Sequence, residues 1–245
     1  MRPLFVTGTD TGIGKTRVTY GLASGLRKRH IQTQTWKPVQ TGVRTGTAEA
    51  DSFRLKWGSG AEEEEAHLVS VTLPDPLAPW MAARRRSMKL DYEQLVEEGR
   101  QRASQTDLLI MEGAGGLLVP LTEKQLIADL AIDLEMSVLI VARAGLGTVN
   151  HTLLTIEAAR SRGLQVAGIV INGMLATQRP EVQENREMIE HFGQCKVLGL
   201  LPDVQGEPET TSPADWQSWK ERWDEVCEQN LDWTLVLGLA KNAGM

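Results

Sequence analysis

Apolar positions along the chain fall into two alternating kinds of run. Short continuous stretches, residues 4–6, 107–112, 137–142, 166–172 and 197–201, are bounded by glycine, proline or polar residues and predict strands covered on both faces. Between them the period lengthens. Val18, Leu22 and Leu26 recur at helical spacing through Arg29, and helical patterns return over residues 125–135, 148–162 and 181–192. Asp91 with Gln94 three positions on predicts a capping box opening a helix to about Ala103. Residues 32–37 predict a second strand stopped by Pro38, with a loop over residues 38–42. A short helix carrying Phe53, Leu55 and Trp57 follows within residues 46–60. The acidic run 62–65 predicts a solvated, self-repelling turn, and three prolines make residues 73–79 irregular. Near the C-terminus, Ser212-Pro213 predicts a capped helix with Trp216, Trp219, Trp223 and Val226 on one face, a stripe expected in the core or between copies of the chain. Strands alternating with helices imply parallel pairing with right-handed crossovers. The expected fold is a single α/β domain over residues 1–245, a doubly wound, mostly parallel sheet with helices on both faces.

Composition changes this picture little. The chain has 245 residues, 41% hydrophobic and 24% charged, which suits one folded domain. A net charge of −6 with no basic block argues against a nucleic-acid partner held through phosphates, and no apolar run reaches membrane-spanning length. Cys195 and Cys227 have no metal-ligand spacing and are expected to be reduced thiols in a cytoplasmic protein.

The chemistry gathers at predicted strand ends, where open parallel sheets bind ligands. Behind the first strand runs Gly8-Thr9-Asp10-Thr11-Gly12-Ile13-Gly14-Lys15-Thr16, opening the first helix. Such a turn can aim backbone N–H groups at phosphate oxygens, with the helix dipole adding to the field. Lys15 is then placed for the outer phosphates and Thr16 for a bound Mg²⁺. Five residues separate Gly8 from Gly14, where the general phosphate-loop pattern has four. Lys37 ends the second strand. Glu112 ends the third, where phosphate-loop proteins place an acidic Mg²⁺ ligand, and Gly113-Ala114-Gly115-Gly116 after it leaves room for a ligand against the backbone. Asp51 is a further acidic candidate, and Asn172 and Pro202 close later strands.

Three stretches in order, Gly8 to Thr16, then Lys37-Pro38-Val39-Gln40-Thr41-Gly42, then Glu112 to Gly116, together resemble dethiobiotin synthetase, a family that uses the five-residue spacing. Gly147-Thr148-Val149-Asn150-His151 and residues 168–172 are similar as well. The resemblance covers about residues 1–204 and leaves 205–245 as a C-terminal extension. It implies a phosphate-loop fold and ATP-dependent ring closure of 7,8-diaminononanoate with CO₂ to dethiobiotin, ADP and phosphate. One amine captures CO₂ as a carbamate, the carbamate attacks the γ-phosphate, and the second amine displaces phosphate. Carried over residue by residue, the resemblance makes Lys37 and Lys15 catalytic. It places ATP against Gly12, Ile13, Gly14, Lys15, Thr16, Arg17, Asp51, Glu112, Gly113, Ala114, Gly115, Asn172 and Pro202. Mg²⁺ falls to Thr16, Asp51 and Glu112, and substrate to Thr11, Lys37, Thr41 and Asn150. Asn150 would serve the partner's site, which implies a homodimer. Gly12 stands where some relatives carry an acidic residue, and Trp80 enlarges a stretch, residues 79–83, that resembles a substrate-side loop.

The rival class is a dimeric switch ATPase of the partitioning or septum-site type. It shares the doubly wound phosphate-loop fold but carries an extra lysine early in the loop, where this chain has Thr9, Asp10 and Thr11.

Overall fold

The computed structural model describes residues 2–241. Seven strands form one sheet: β1 (Leu4–Gly8), β2 (Thr33–Thr41), β3 (Val69–Leu73), β4 (Leu108–Gly116), β5 (Ser137–Arg143), β6 (Val166–Met174) and β7 (Val197–Pro202). They lie in the order β3-β2-β4-β1-β5-β6-β7, and every neighbouring pair is parallel. The chain starts in the middle, builds one half outward and back to β4, then crosses to build the other half. Strand ends around β1 therefore bound a crevice at the carboxyl edge.

Alternate residues of each strand supply two separate cores. Leu4 and Val6 of β1 face α1 (Lys15–Lys28), α2 (Asp51–Ser59), α9 (Pro213–Asn230) and α10 (Trp233–Lys241). Phe5 of the same strand faces the opposite core. There the cover is α4 (Pro79–Arg85), α5 (Tyr92–Ser104), α6 (Ile127–Asp133), α7 (Thr148–Ser161) and α8 (Arg179–Gly193). In β5, Val138, Ile140 and Ala142 join the second core while Leu139 and Val141 join the first, so the unbroken apolar run is accounted for. The short α3 (Glu65–Leu68) leads into β3.

Several sequence expectations need correction. β2 does not stop at Pro38 but runs on to Thr41. It pairs with β4 from Thr33 to Trp36 and with β3 from Lys37 to Thr41, so proline sits where the strand changes partners. Its missing N–H falls just past the last residue paired with β4, a place where the ladder tolerates it. Residues 113–116 belong to β4 rather than to a loop after it. Gly113 is small for a packing reason, because a Cβ there would lie 2.8 Å from the Phe5 ring. β3 and α4 are additional elements in and around the stretch expected to be irregular. Residues 79–83 are helical, and Trp80 is half-buried with its N–H on the Pro120 carbonyl at 3.3 Å.

Glu65, at the end of the acidic run, is not simply solvated. It accepts from the Ser52 hydroxyl at 2.6 Å and from the Gly46 N–H. The tryptophan stripe is core: Trp216, Trp219 and Trp223 are buried against the first core cluster, and Cys227, with Val226 at its edge, completes the row. The Ser212 cap accepts from Asp215 N–H, and Asp91 accepts from Gln94 N–H as the sequence predicts.

Candidate active site

The loop from β1 to α1 wraps the mouth of the crevice. Gly14, the residue before α1, has φ 87 and ψ 28, a left-handed conformation that favours glycine. A Cβ there would also collide with the Asn172 amide, whose Nδ2 donates to the Ile13 carbonyl at 2.9 Å. Asn172, at the carboxyl end of β6, thus braces the loop from behind. Thr9 N–H is tied to Val141 of β5 at 3.0 Å, which fixes the other end. Between these anchors no N–H from Gly12 to Thr16 finds an acceptor among the described residues. A row of free donors at a helix start is an anion site. Lys15 curls over the loop to the Asp10 carbonyl at 3.1 Å, and burial, then the charge of Lys37, pull its pKa below the ordinary lysine value.

One residue on, Thr16 meets Asp51 at the start of α2 and Glu112 in the middle of β4. Its hydroxyl lies 2.8 Å from Asp51 Oδ1 and 2.9 Å from Glu112 Oε1. Lys37 Nζ sits 2.7 Å from Asp51 Oδ2, 2.7 Å from Glu112 Oε1 and 3.1 Å from the Gly113 carbonyl. Burial pulls the Lys37 ammonium down, but the two carboxylates outweigh it and hold the pKa above that of an ordinary lysine. Burial would push Asp51 up, and Lys37 and Thr16 hold it below the usual carboxylate value. Burial wins at Glu112 and raises its pKa.

This cluster is short of hydrogens. A hydroxyl carries one proton, so Thr16 can donate to one of its two carboxylates only. Glu112 Oε2 is buried with no partner among the described residues. An added cation would relieve both deficits. Two carboxylates and one hydroxyl, with no group of three or more His, Cys, Asp or Glu side chains among the described residues, form the sparse oxygen set that Mg²⁺ takes when phosphates complete its shell.

The structure brings many of the residues singled out in the sequence to one place. Thr11, Gly12, Ile13, Gly14, Lys15, Thr16, Arg17, Lys37, Thr41, Asp51, Glu112, Ala114, Gly115 and Asn172 all line one cleft. Gly113 contributes its carbonyl to Lys37. Arg17 lines the cleft with its guanidinium committed to Glu207 at 2.8 Å and to the Val204 carbonyl at 3.2 Å. Pro202 ends β7 just before Asp203, which lines the cleft. Asn150 is exposed in the first turn of α7 and does not line this chain's own cleft.

Sequence reasoning missed Gln40, Ser52, Arg54, Arg143, Gln178 and Glu207. Gln40 is buried, gives its amide hydrogens to Ser52 and Thr72, and accepts from Ser52 N–H at 3.0 Å. It therefore sets the first turn of α2, which carries Asp51. Gln40 belongs to the stretch 37–42, but its partners are distant in sequence.

A family model described as an AAA domain matches residues 2–208. The ATP-dependent dethiobiotin synthetase of Anaeromyxobacter sp. (strain Fw109-5) is 46% identical over 205 residues, spanning 84% of this chain and 92% of that protein. The enzyme of the same name from Bacillus thuringiensis (strain Al Hakam) is 40% identical over 207 residues, 84% of this chain and 86% of its own. Among solved structures, the septum site-determining protein MinD complexed with Mg-ADP from Pyrococcus horikoshii OT3 superposes with TM-score 0.58 at 14% identity, over 98% of this chain and 99% of that one. A ParA family ATPase from Chlorobium tepidum TLS gives 0.55 at 12%, over 98% and 100%. At such identities these two likenesses speak for the fold alone.

Proposed function

The chain belongs to the ATP-dependent dethiobiotin synthetase family, and from that premise we propose that it closes the ureido ring of dethiobiotin from 7,8-diaminononanoate, CO₂ and ATP. The observation that carries the reading is the meeting of Thr16, Lys37, Asp51 and Glu112 beside a loop of free N–H donors. A carbamate attacking a triphosphate brings two anions together, so fixed positive charge must supply most of the catalysis. Lys15 would neutralise the outer phosphates. Lys37, already fully charged at neutral pH, would turn from the carboxylates to the carbamate and γ-phosphate. Thr11 and Thr41 line the same cleft and would hold the diamine or its carbamate. Asn172, the end of β7 at Pro202 and the chain beyond it would bound the nucleobase.

Thr16, Asp51 and Glu112 would hold Mg²⁺, which when bound neutralises and orients phosphate oxygens. We place the protein in the cytoplasm as a homodimer, in which the exposed Asn150 would reach the substrate carboxylate in the partner's cleft. No helix among the described residues is long and apolar enough to cross a membrane. The MinD and ParA likenesses extend to the fold, and no residue of the loop favours the switch-ATPase reading.

Purified protein given ATP, Mg²⁺, bicarbonate and the diamine should release phosphate and form the cyclic urea in equal amounts. Phosphate release indifferent to the diamine, with no urea, would sink the proposal.

A further inference from the structure

The cleft has one wall without regular structure. Between β7 and α9, residues 203–212 form neither helix nor strand, yet Asp203 and Glu207 line the cleft. What holds this strap comes chiefly from α1 and α9, with Arg54 of α2 lying 3.8 Å from Glu207 Oε2. Arg17 of α1 donates to Glu207 Oε2 at 2.8 Å and to the Val204 carbonyl at 3.2 Å. Tyr20, one turn along α1, donates to Glu207 Oε1 at 2.9 Å. The Tyr20 oxygen accepts in turn from Trp219 Nε1 of α9 at 2.7 Å. Trp223 Nε1 reaches the Arg17 carbonyl at 3.0 Å, and its ring stacks on that of Trp219 with centroids 5.8 Å apart and planes at 10°. The Arg17 guanidinium lies 5.3 Å from the Trp219 centroid, and Arg222 of α9 donates to the Gly206 carbonyl at 3.0 Å.

We propose that Glu207 is a positioning residue, clamped by Arg17, Tyr20 and Trp219, and that α9 through this clamp sets how tightly the nucleotide end of the cleft binds its base. The inference rests on the nucleotide reading above and goes beyond it. The family model ends at residue 208, so the helix that closes the clamp lies outside the region shared with that model. Both Glu207 oxygens are taken, by Arg17 and Tyr20, so the carboxylate holds the wall rather than offering itself to a ligand. Arg17 and Tyr20 share α1 with Lys15 and Thr16. One helix thus fixes the phosphate contacts and the opposite wall in a single frame, which is the kind of preorganisation that lowers the cost of binding.

The test is direct titration of ADP, alongside steady-state kinetics, on Tyr20→Phe, Trp219→Phe, Glu207→Gln and Cys227→Ala. Tyr20→Phe and Glu207→Gln, which weaken hydrogen bonding at the carboxylate, should weaken ADP and raise the ATP KM roughly tenfold, and Trp219→Phe, which removes a bond to the Tyr20 hydroxyl, should do so by less. For the first three variants kcat and the diamine KM should stay within about twofold. Cys227 is buried on the same face of α9 but outside the clamp, so its truncation should lower Tm without moving the ADP affinity. Wild-type ADP affinity in Tyr20→Phe and Glu207→Gln would overturn the proposal. So would an equal loss in Cys227→Ala, which would reduce the effect to general loosening of the core. Should Trp219→Phe fail to fold, Glu207→Gln, at the edge of the cleft, still decides. ADP binding by wild type without cyclic urea formation would count against the synthetase reading and leave the clamp standing.

Discussion

The first turns of α1 serve two polar clusters that differ in one respect. Lys15 and Thr16 face the Lys37, Asp51 and Glu112 group, where one hydroxyl proton must answer two carboxylates and Glu112 Oε2 has no partner among the described residues. Arg17 and Tyr20 face Glu207 and Trp219, where the phenol both donates and accepts and both carboxylate oxygens are met. Both clusters are largely removed from solvent and both mix charge with hydroxyl groups, so burial alone does not mark the site. Satisfaction does. Unmet buried polar atoms cost free energy that a fold tolerates where a ligand completes the set, whereas a finished network rigidifies its surroundings.

The sharpest way to break the comparison is to remove the one cation shared by the open cluster. Lys37→Met keeps much of the side-chain volume and leaves Asp51 and Glu112 facing each other. If Lys37 stabilises the transferring phosphoryl group, kcat should fall by about 10²–10³, the loss seen when one electrostatic donor is removed. Nucleotide binding should survive, since Lys15 and the loop N–H groups are untouched. Single-turnover phosphate release, with ADP titration in parallel, separates the two quantities. A wild-type kcat would take Lys37 out of the mechanism.

A gentler intervention asks whether the open cluster is held in place from outside. Gln40 and Glu65 grip Ser52, and Ser52 is the neighbour of Asp51. Gln40→Ala should free the first turn of α2 and raise the Mg²⁺ concentration needed for half-maximal activity by about 10–100-fold, as losing an outer-shell partner of a metal ligand does. Mn²⁺ titration of the ADP complex, read by its paramagnetic signal, gives the same quantity without turnover. Unchanged metal dependence would mean that Asp51 is placed by Thr16 and Lys37 alone.

Much of this was legible in the sequence where the signal was local. The continuous apolar runs of β5 and β6, the Asp91 cap and the Gly14-Lys15-Thr16 turn each depend on residues within one element. Signals failed where a distant partner overrides a local rule. Pro38 reads as a stop, but β2 changes partners there and continues. Val69 to Leu73 alternates as a strand should, yet it pairs with β2 at the sheet edge and lies between an acidic run and a proline-rich stretch, both of which are breaking signals. Glu65 looks like one solvated carboxylate among four, and only the fold brings Ser52 and Gly46 to it. The open cluster was readable because Thr16 and Asp51 start helices and Lys37 and Glu112 stand where a proline or a glycine run breaks the apolar pattern of a strand, although both strands continue past them. The finished cluster was not, because Tyr20, Glu207 and Trp219 are joined across about 200 positions of chain by side chains with no shared motif.

The finished cluster also makes a prediction of opposite character, a failure driven by pH rather than by mutation. The chain has two tyrosines, Tyr20 and Tyr92. Burial, then the charge of Glu207, raises the Tyr20 phenol above its ordinary value. Burial, then the hydrogen bond to Asp133 at 2.6 Å, does the same at Tyr92. A raised pKa means that the folded state keeps protons the unfolded chain has already released. Stability is therefore fully present below the unfolded tyrosine pKa of about 10 and falls as pH rises above it, by up to about 1.4 kcal/mol per pH unit for Tyr20 and by less for Tyr92, whose phenol is better screened by solvent. Lys37, also raised, pulls the same way above its own ordinary value. Tyrosinate absorbance should accordingly appear only together with loss of the native circular dichroism. In Tyr20→Phe the alkaline slope should shrink by the share of one proton. Tyrosinate that forms near pH 10 in a still-native protein and disappears in Tyr20→Phe would show the Tyr20 hydroxyl open to solvent, and the cluster would then be no more finished than the one beside it.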